Sequence, residues 1–257
     1  MNDQLGWNFI DNDNDISDVR GHGSLVTLSY LEAFQNMAPA AEIYDQQILT
    51  VKVLNDCGQG TTYSTLCGLR YAEKKGARVI NASWGKNEND LNMQRQFEEV
   101  SQLGISIVCS AGNEDLNLDE NPHFPSGYSA PFEYIIKEDE EFDVRQFDNL
   151  FEVGGICRYV DAECMSQPDN LPLVEYSNFR NFLFAESCIG IERLIPSTGI
   201  TCTIEGTSYA APQLSAALTL LWIETGGPIQ VQTLIENSQR IHPNRDHYSF
   251  RLKNCKN

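Results

Sequence analysis

The chain has 257 residues, of which 41% are hydrophobic, and a formal net charge of −18 at pH 7. This hydrophobic content is enough to build a core, so we predict one folded domain over residues 1–257. The acidic surface repels phosphate groups, which argues against nucleic acid and anionic membranes as partners. The longest apolar stretch, residues 214–223, is too short to cross a bilayer.

Cysteine and N-terminal patterns narrow the possibilities further. The eight cysteines include no C-x-x-C pair, which argues against a zinc site. An even number of cysteines in a chain of this length does not require disulfides, and we expect reduced thiols, which favours the cytoplasm. The N-terminal residues lack the basic segment and apolar stretch of a signal peptide, so the compartment stays open.

Apolar, β-branched strands alternate with amphipathic helices in the first half of the chain. We predict strands at residues 48–55, 77–85 and 105–113, separated by helices at 62–75 and 90–104. This order is typical of an α/β fold in three layers, with a mostly parallel sheet flanked by helices. In such sheets functional residues gather at the carboxyl ends of the strands.

The second half of the chain is less regular. Residues 116–150 contain the acidic run "KEDEEFD", and we predict an acidic insertion that forms a surface loop or lobe. Strands are predicted at 151–159 and 191–196. A long apolar helix is predicted at 208–224 and a closing helix at 229–240.

The most specific motif is "GTSYAAP", in which Ser208 stands where a turn leads into the long helix. Gly206 permits a tight turn, and a helix N-terminus directs N–H groups and a positive dipole toward an oxyanion. Pro212 lies near the first turn, where its missing N–H costs little. The same pattern also suits a serine that simply caps a core helix.

Two further residues have settings that suit catalysis. His22 is the one histidine of four that lies between two glycines, where other groups can approach the imidazole closely. Asn113 ends a strand of small residues, so its amide can donate a hydrogen bond to an oxyanion at the sheet edge. The alternatives are a surface histidine at a turn and an asparagine that supports a left-handed turn.

Together, in the order His, Asn, Ser, these motifs resemble the subtilisin-like serine protease family (subtilases, peptidase S8). "GTSYAAP" is close to that family's "GTSMAAP". Further similar segments cover residues 5–240: the stretch leading into "GHG", and "MAPAAEI", "VKVL", "VINASWG", "EYSNFRN" and "RLIPSTG". The resemblance implies a subtilisin-like fold, peptide or protein substrates, and no cofactor or metal.

The family's roles carry over residue by residue. Ser208 would be the nucleophile, His22 the general base, and Asn113 with the Ser208 N–H would hold the oxyanion. Two segments would bind the substrate, namely Ser83, Trp84 and Gly85 on one side and Ser110, Ala111 and Gly112 on the other. The bulky Trp84 would shape the subsites and favour apolar substrates.

The third triad member has no counterpart in this sequence. Family members carry an aspartate in an "Asp-Thr/Ser-Gly" motif on a strand upstream of the histidine, and none of the 21 residues before His22 matches it. The acidic run of Asp11, Asp13, Asp15 and Asp18 is interpreted as an Asx-rich turn. A metal site and a surrogate aspartate are its alternatives.

Three explanations follow for the missing aspartate. We favour an N-terminally incomplete protease, with a preceding segment or propeptide as partner. A degenerate relative, or a strand supplied by a second chain, would also account for it. The sequence therefore predicts a serine endopeptidase, with a pseudoprotease that binds peptides or acts as a scaffold as the alternative, and a non-protease acyl hydrolase as a third hypothesis.

Overall fold

The chain folds into parallel sheets covered by helices, and this confirms the predicted α/β class. The computed structural model describes residues 6–38, 46–129, 147, 149–156, 174, 176–179, 183–190, 203–229, 239–240 and 248–249. Its helices are α1 (His22–Met37), α2 (Thr62–Lys74), α3 (Leu91–Gln102) and α4 (Thr207–Thr225). Its strands are β1 (Gly6–Asn8), β2 (Thr50–Lys52), β3 (Val79–Ala82), β4 (Ser106–Ser110), β5 (Leu150–Ile156), β6 (Leu183–Glu186), β7 (Cys188–Gly190), β8 (Thr203–Glu205), β9 (Gln239–Arg240) and β10 (Tyr248–Ser249).

The strands form three sheets in the described part of the chain. The largest has the order β3-β4-β5-β6-β10-β9, in which every neighbouring pair except β10 and β9 is parallel. β1 and β2 form a separate parallel pair, with Trp7 opposite Val51. β7 and β8 form an antiparallel pair. The carboxyl ends of β3 and β4 therefore lie side by side, which brings the segments after Ala82 and Ser110 together.

Local signals explain where α2 and α3 begin and end. Thr61 and Ser64 form a reciprocal capping box at the start of α2, and the Asp90 carboxylate accepts hydrogen bonds from two backbone N–H groups at the start of α3. Gly76 and Gly104 follow the two helices with φ of 80° and 77°, a left-handed conformation that favours glycine. Both predicted helices are confirmed to within two residues at each end.

The core has a layer on each face of the large sheet. The predicted apolar face of α3 is buried, and the cluster around it includes Phe97, Ile107 and Tyr128. On the other face, Leu214 and Leu218 of α4 pack with buried strand residues of the sheet. Burial of such side chains stabilises the fold by roughly 1.5–3 kcal/mol each.

Helix α1 packs against α4, and this packing brings the start of α1 toward the start of α4. Phe34 and Ala38 form one cluster with Ala216 and Leu220. The Ser29 hydroxyl is buried and donates a 2.8 Å hydrogen bond to the Tyr209 carbonyl oxygen. This bond ties the two helices together close to the "GHG" and "GTS" motifs.

Several predictions from the sequence differ from the structure or lie outside it. Within the predicted surface loop at 116–150, residues 123–129 do not lie on the surface, because they are buried and Tyr128 packs into the core. The acidic run "KEDEEFD", the predicted strand at 191–196 and residues 230–238 of the predicted closing helix lie outside the described residues. The end of that helix is wrong, because Gln239–Arg240 pairs with β10 as strand β9. Within those residues, Cys57, Cys67 and Cys109 are free thiols, and no helix is long and apolar enough to cross a membrane.

Candidate active site

Ser208 is the second residue of α4, at the helix end where N–H groups lack intrahelical partners. Gly206 precedes the helix with φ of 152° and ψ of 143°, a backbone conformation that side-chain-bearing residues rarely adopt. The Gly206 N–H donates to the Ser187 carbonyl oxygen at 3.1 Å and to the Tyr176 hydroxyl at 3.0 Å. The turn that presents Ser208 is thus held from two sides.

Pro212 lies deeper in the helix than the sequence suggested. It is the sixth residue of α4, so its missing N–H leaves the Ser208 carbonyl oxygen, four residues earlier, without its helical donor. The Ser83 hydroxyl donates to that oxygen at 2.7 Å. Pro212 therefore leaves the Ser208 carbonyl oxygen free to accept a hydrogen bond from Ser83. This bond ties the segment after β3 to the candidate nucleophile.

Asn113 lies directly beside the start of α4. Its side-chain oxygen accepts hydrogen bonds from the Thr207 backbone N–H at 2.8 Å and from the Thr207 hydroxyl at 3.0 Å. Two donors on the oxygen fix the orientation of the amide, which leaves its NH₂ group to donate elsewhere. The amide NH₂ group close to the start of α4 is then available as a hydrogen-bond donor.

His22 is the first residue of α1, and its ring lies 5.9 Å from the ring of Tyr209, centroid to centroid. The Ser208 hydroxyl donates to the Ser83 carbonyl oxygen at 3.4 Å, and among the described residues no hydrogen bond joins Ser208 to His22. Partial burial lowers the pKa of His22, and nearby Arg20 lowers it further, while Asp18 raises it. The imidazole is therefore neutral at pH 7, the form that accepts a proton.

The acidic run before His22 forms Asx turns. Side chains of Asn8, Asp13 and Asp15 accept hydrogen bonds from backbone N–H groups two residues onward. Asp18 accepts from the Gly21 and Ser24 N–H groups and from the Ser24 hydroxyl. Although partial burial raises the pKa of Asp18, these bonds hold it below its usual value. The described residues include no cluster of three or more His, Cys, Asp or Glu suited to a metal.

We expect Asp18→Asn to lower the pKa of His22 still further. The change removes a negative charge that favours the imidazolium, while the effects of burial and of Arg20 remain. NMR titration of the His22 ring protons, assigned with His22→Gln, should give a midpoint at lower pH than in the unchanged chain. Asp15→Asn, at an exposed position, is the matched control. A midpoint that stays fixed or rises would contradict the assignment of Asp18 as the charge that acts on His22.

The two predicted substrate-binding segments lie on adjacent strand ends. Ser83 is buried, Gly85 is exposed, and Ser110, Ala111 and Gly112 are buried. Trp84 is half-buried, with its ring centroid 6.2 Å from that of Phe97. The Trp84 side chain therefore packs in part against the core, and its role in shaping subsites stays a prediction.

Asn178 is a buried residue of the site that its sequence motif did not reveal. Its side chain donates to the Ala111 carbonyl oxygen at 3.0 Å and to the Glu114 carboxylate at 2.7 Å. It also accepts from the Glu114 and Leu116 N–H groups. One amide thus fixes the loop that carries Asn113. The "EYSNFRN" resemblance marked this segment but not this role.

His123 is a second residue that the sequence did not place. Its side chain is 6% exposed, and Nδ1 lies 3.2 Å from the Ser126 hydroxyl. A Cβ atom added to Gly85 would come within 2.0 Å of its ring, and one added to Gly112 within 3.2 Å. The imidazole therefore fills the space between the two predicted substrate walls. Burial lowers the pKa of His123, while Glu114 raises it.

Comparisons with known proteins agree with this arrangement. A profile described as Subtilase family matches residues 1–251. Thermitase from Thermoactinomyces vulgaris is 30% identical over 125 residues, which are 48% of this chain and 44% of that protein. The Thermophilic serine proteinase of Bacillus sp. (strain AK1) is 24% identical over 242 residues, 91% of this chain and 50% of that protein. The chain spans about half the length of these curated relatives.

Solved structures show the same fold. A structure described as a cold adapted subtilisin-like serine proteinase matches with a TM-score of 0.64 at 20% identity, covering 96% of this chain and 81% of that one. At this identity the likeness concerns the fold alone. It confirms the predicted subtilisin-like arrangement of parallel strands and helices.

Proposed function

The chain belongs to the subtilase family of serine proteases, and from this premise we propose that it is a serine endopeptidase acting through an acyl-enzyme on Ser208. One observation carries the proposal: Thr207 orients the Asn113 amide directly beside the N-terminus of the helix that presents Ser208. A nucleophile and a fixed oxyanion donor then meet at one point. Protease chemistry of this kind implies peptide or protein substrates.

The proposed reaction proceeds in two halves. Ser208 Oγ attacks the scissile carbonyl carbon while His22 takes the hydroxyl proton. The Asn113 amide and the Ser208 N–H hold the resulting oxyanion. As the C–N bond breaks, His22 gives its proton to the leaving amine. A water molecule then attacks the acyl-enzyme by the same route and releases Ser208.

The substrate would lie extended between the segments Ser83–Gly85 and Ser110–Gly112, with main-chain hydrogen bonds like those of an added strand. His123 would then limit the pocket for the side chain before the scissile bond, because its ring lies between Gly85 and Gly112. A filled pocket favours small side chains at this position.

We expect His123→Ala to shift the preference toward large apolar side chains. The change removes the ring between the two walls, and filling such a space changes selectivity by roughly 10–200-fold. Two chromogenic peptides that differ only in Ala or Phe before the scissile bond give the ratio of kcat/KM. Ser126→Ala removes the contact to Nδ1 and leaves the ring in place, so it should keep the original ratio. An unchanged ratio in His123→Ala would contradict this placement.

The nucleophile is tested by locating a covalent adduct. The folded chain is incubated with a fluorophosphonate probe, digested, and mapped by mass spectrometry. The proposal predicts an adduct on Ser208 that is lost when the chain is unfolded before labelling. An adduct on another serine, or equal labelling of folded and unfolded protein, would contradict it.

A peptide-binding pseudoprotease is the second candidate function. It is favoured by the Ser208 hydroxyl, which donates to the Ser83 carbonyl oxygen. It is also favoured by His22, whose ring donates no hydrogen bond to a carboxylate among the described residues. Both groups would have to move before proton transfer. Saturable binding of an extended peptide, with no cleavage after prolonged incubation, would decide for this function.

A further inference from the structure

The imidazole of His123 presents one particular edge to the place where a substrate side chain would enter. A Cβ atom added to Gly85 would clash with ring atoms Cε1 and Nε2, and one added to Gly112 would lie 3.2 Å from Cδ2. Nε2 stands between Cε1 and Cδ2 in the ring. It is therefore the ring atom that lies between the two predicted substrate walls, while Nδ1 is directed toward Ser126.

The hydrogen bonds around His123 determine which ring nitrogen carries the proton. The Ser126 hydroxyl donates to the His123 carbonyl oxygen at 2.9 Å, and a hydroxyl has a single proton to donate. Nδ1 lies 3.2 Å from the same hydroxyl oxygen, so Nδ1–H is the donor of the bond that joins them. A neutral imidazole that is protonated at Nδ1 keeps a lone pair on Nε2. Nε2 is thus a hydrogen-bond acceptor.

The imidazole of His123 is neutral at pH 7. Its side chain is buried, and burial lowers the pKa of His123 by more than the nearby Glu114 carboxylate raises it. The pKa therefore lies below the usual value for histidine. The acceptor on Nε2 is then present at neutral pH.

Nε2 makes no hydrogen bond within the described part of the chain. The nearby amide of Asn178 donates instead to the Ala111 carbonyl oxygen and the Glu114 carboxylate, which uses both of its N–H groups. Buried polar groups in folded proteins are nearly always hydrogen-bonded, and those that are not frequently have a functional role. An acceptor left unpaired between two substrate walls points to a donor on the substrate.

The surroundings of Nε2 narrow the class of substrate side chain. A Cβ atom on Gly112 would also meet the Glu114 carboxylate, so a negative charge lies beside the same wall and repels aspartate and glutamate. The His123 ring occupies the depth between the walls, which excludes long side chains such as lysine and arginine. Serine, threonine and asparagine combine a short side chain with an O–H or N–H donor.

We propose that His123 is a specificity-determining residue, whose Nε2 accepts a hydrogen bond from the substrate side chain before the scissile bond. The site then selects serine, threonine or asparagine at that position over apolar side chains of the same shape. This inference rests on the proposed function for the position of the substrate. It adds a polar requirement to the small size that the filled pocket imposes.

Pairs of peptide anilides that differ only in the residue before the scissile bond test this preference. Threonine and valine have nearly the same shape, and asparagine and leucine form a second pair. The unchanged chain should hydrolyse the polar member of each pair with a kcat/KM about tenfold or more higher, since the apolar member leaves Nε2 without a donor. Equal values within both pairs, or a preference for the apolar members, would overturn the proposal.

A pair of variants assigns the preference to His123. His123→Leu keeps an apolar group between the walls but removes the acceptor, so the ratio of threonine to valine hydrolysis should fall about tenfold, to one or below. Ser129→Ala is the matched control, because the Ser129 hydroxyl donates to the Ser126 carbonyl oxygen in the same turn, and its removal leaves the imidazole and the Ser126 hydroxyl in place. It should keep the original ratio. A ratio that survives in His123→Leu would overturn the role of His123.

Nitrogen NMR separates this inference from the proposed function, because it requires no cleavage. In the full chain carrying Ser208→Ala, the chemical shifts of the His123 ring nitrogens at pH 7 should show a proton on Nδ1 and none on Nε2. A saturating peptide with threonine before the scissile bond should shift the Nε2 resonance, and the valine peptide should not. A proton on Nε2, or the same shift with both peptides, would overturn the proposal, even where His123→Leu does not fold.

The two sets of results fail in different ways. If the unchanged chain cleaves the threonine and valine peptides equally well, the specificity of His123 is wrong and the endopeptidase function stands. If threonine alone shifts the Nε2 resonance and neither peptide is cleaved, the binding preference stands and the endopeptidase function is wrong.

Discussion

Ser208→Ala is expected to abolish fluorophosphonate labelling and to reduce peptide hydrolysis to the rate that the rest of the site supports. Ser208 stands at the N-terminus of α4, where N–H groups surround the position of an oxyanion. Alanine keeps the turn and the helix but removes the atom that forms the acyl bond. Loss of activity would therefore reflect the missing nucleophile and not a change of fold.

The size of this effect depends on whether a carboxylate bonds to His22. In an intact triad, loss of the serine costs about 2 × 10⁶ in kcat and loss of the aspartate alone about 3 × 10⁴. Among the described residues no carboxylate hydrogen-bonds to His22, so the chain should start near the activity of an enzyme that lacks the triad aspartate, about 3 × 10⁴ below that of the intact triad. We then expect Ser208→Ala to reduce kcat by about 10², the ratio of the two factors.

Single-turnover hydrolysis of an activated peptide anilide measures this effect. Ser101→Ala is the control, because Ser101 lies in α3 and bonds to Asn149, away from the site. The Ser101→Ala variant should hydrolyse the anilide and react with the fluorophosphonate probe at the same rates as the unchanged chain. Hydrolysis and labelling that survive in Ser208→Ala would show that another group is the nucleophile.

Helix positions were predictable from the sequence because their ends depend on neighbouring residues. Thr61 caps α2 and Gly76 ends it, and both signals are visible in the sequence. Strand limits were less accurate. The strand predicted at 48–55 is β2 over Thr50–Lys52 alone, because its length is set by its three-residue pairing with β1. The pairing of strands that are distant in the sequence cannot be predicted from the local pattern of residues.

In the candidate site, too, residues marked by local sequence signals were predictable and residues placed by distant contacts were not. Ser208, His22 and Asn113 stood out because glycines and strand ends mark them locally. His123 did not, because its setting arises where residues 123–129 fold back against Gly85 and Gly112. The acidic residues that follow suggested a surface loop for the whole of 116–150, whereas residues 123–129 are buried and make aromatic contacts such as that of Phe124 with Tyr128.

The second large effect is expected for Asn113→Ala, which should lower kcat by about 10²–10³ with little change in KM. The amide NH₂ would bond to the oxygen only after it gains charge, so its loss raises the barrier without weakening substrate binding. Asn113→Asp should be at least as damaging. A carboxylate has no N–H to donate and repels an oxyanion.

Thr207→Val tests whether the amide must be held in place. Valine keeps the volume of threonine but removes the hydroxyl that donates to Asn113 at 3.0 Å. The backbone N–H of residue 207 still donates to the same oxygen at 2.8 Å. We therefore expect a fall in kcat of about tenfold, roughly the value of one hydrogen bond and smaller than the loss in Asn113→Ala.

The comparison of kcat with KM separates a catalytic role of Asn113 from a structural one. If Asn113 only supports the turn after β4, Asn113→Ala should disturb the neighbouring wall, Ser110–Gly112, and raise KM. If it stabilises the oxyanion, kcat falls alone, and the combination with Thr207→Val adds no further loss, since the hydroxyl then has no amide to orient. An additive double variant would indicate that Thr207 acts on the site by a route independent of Asn113.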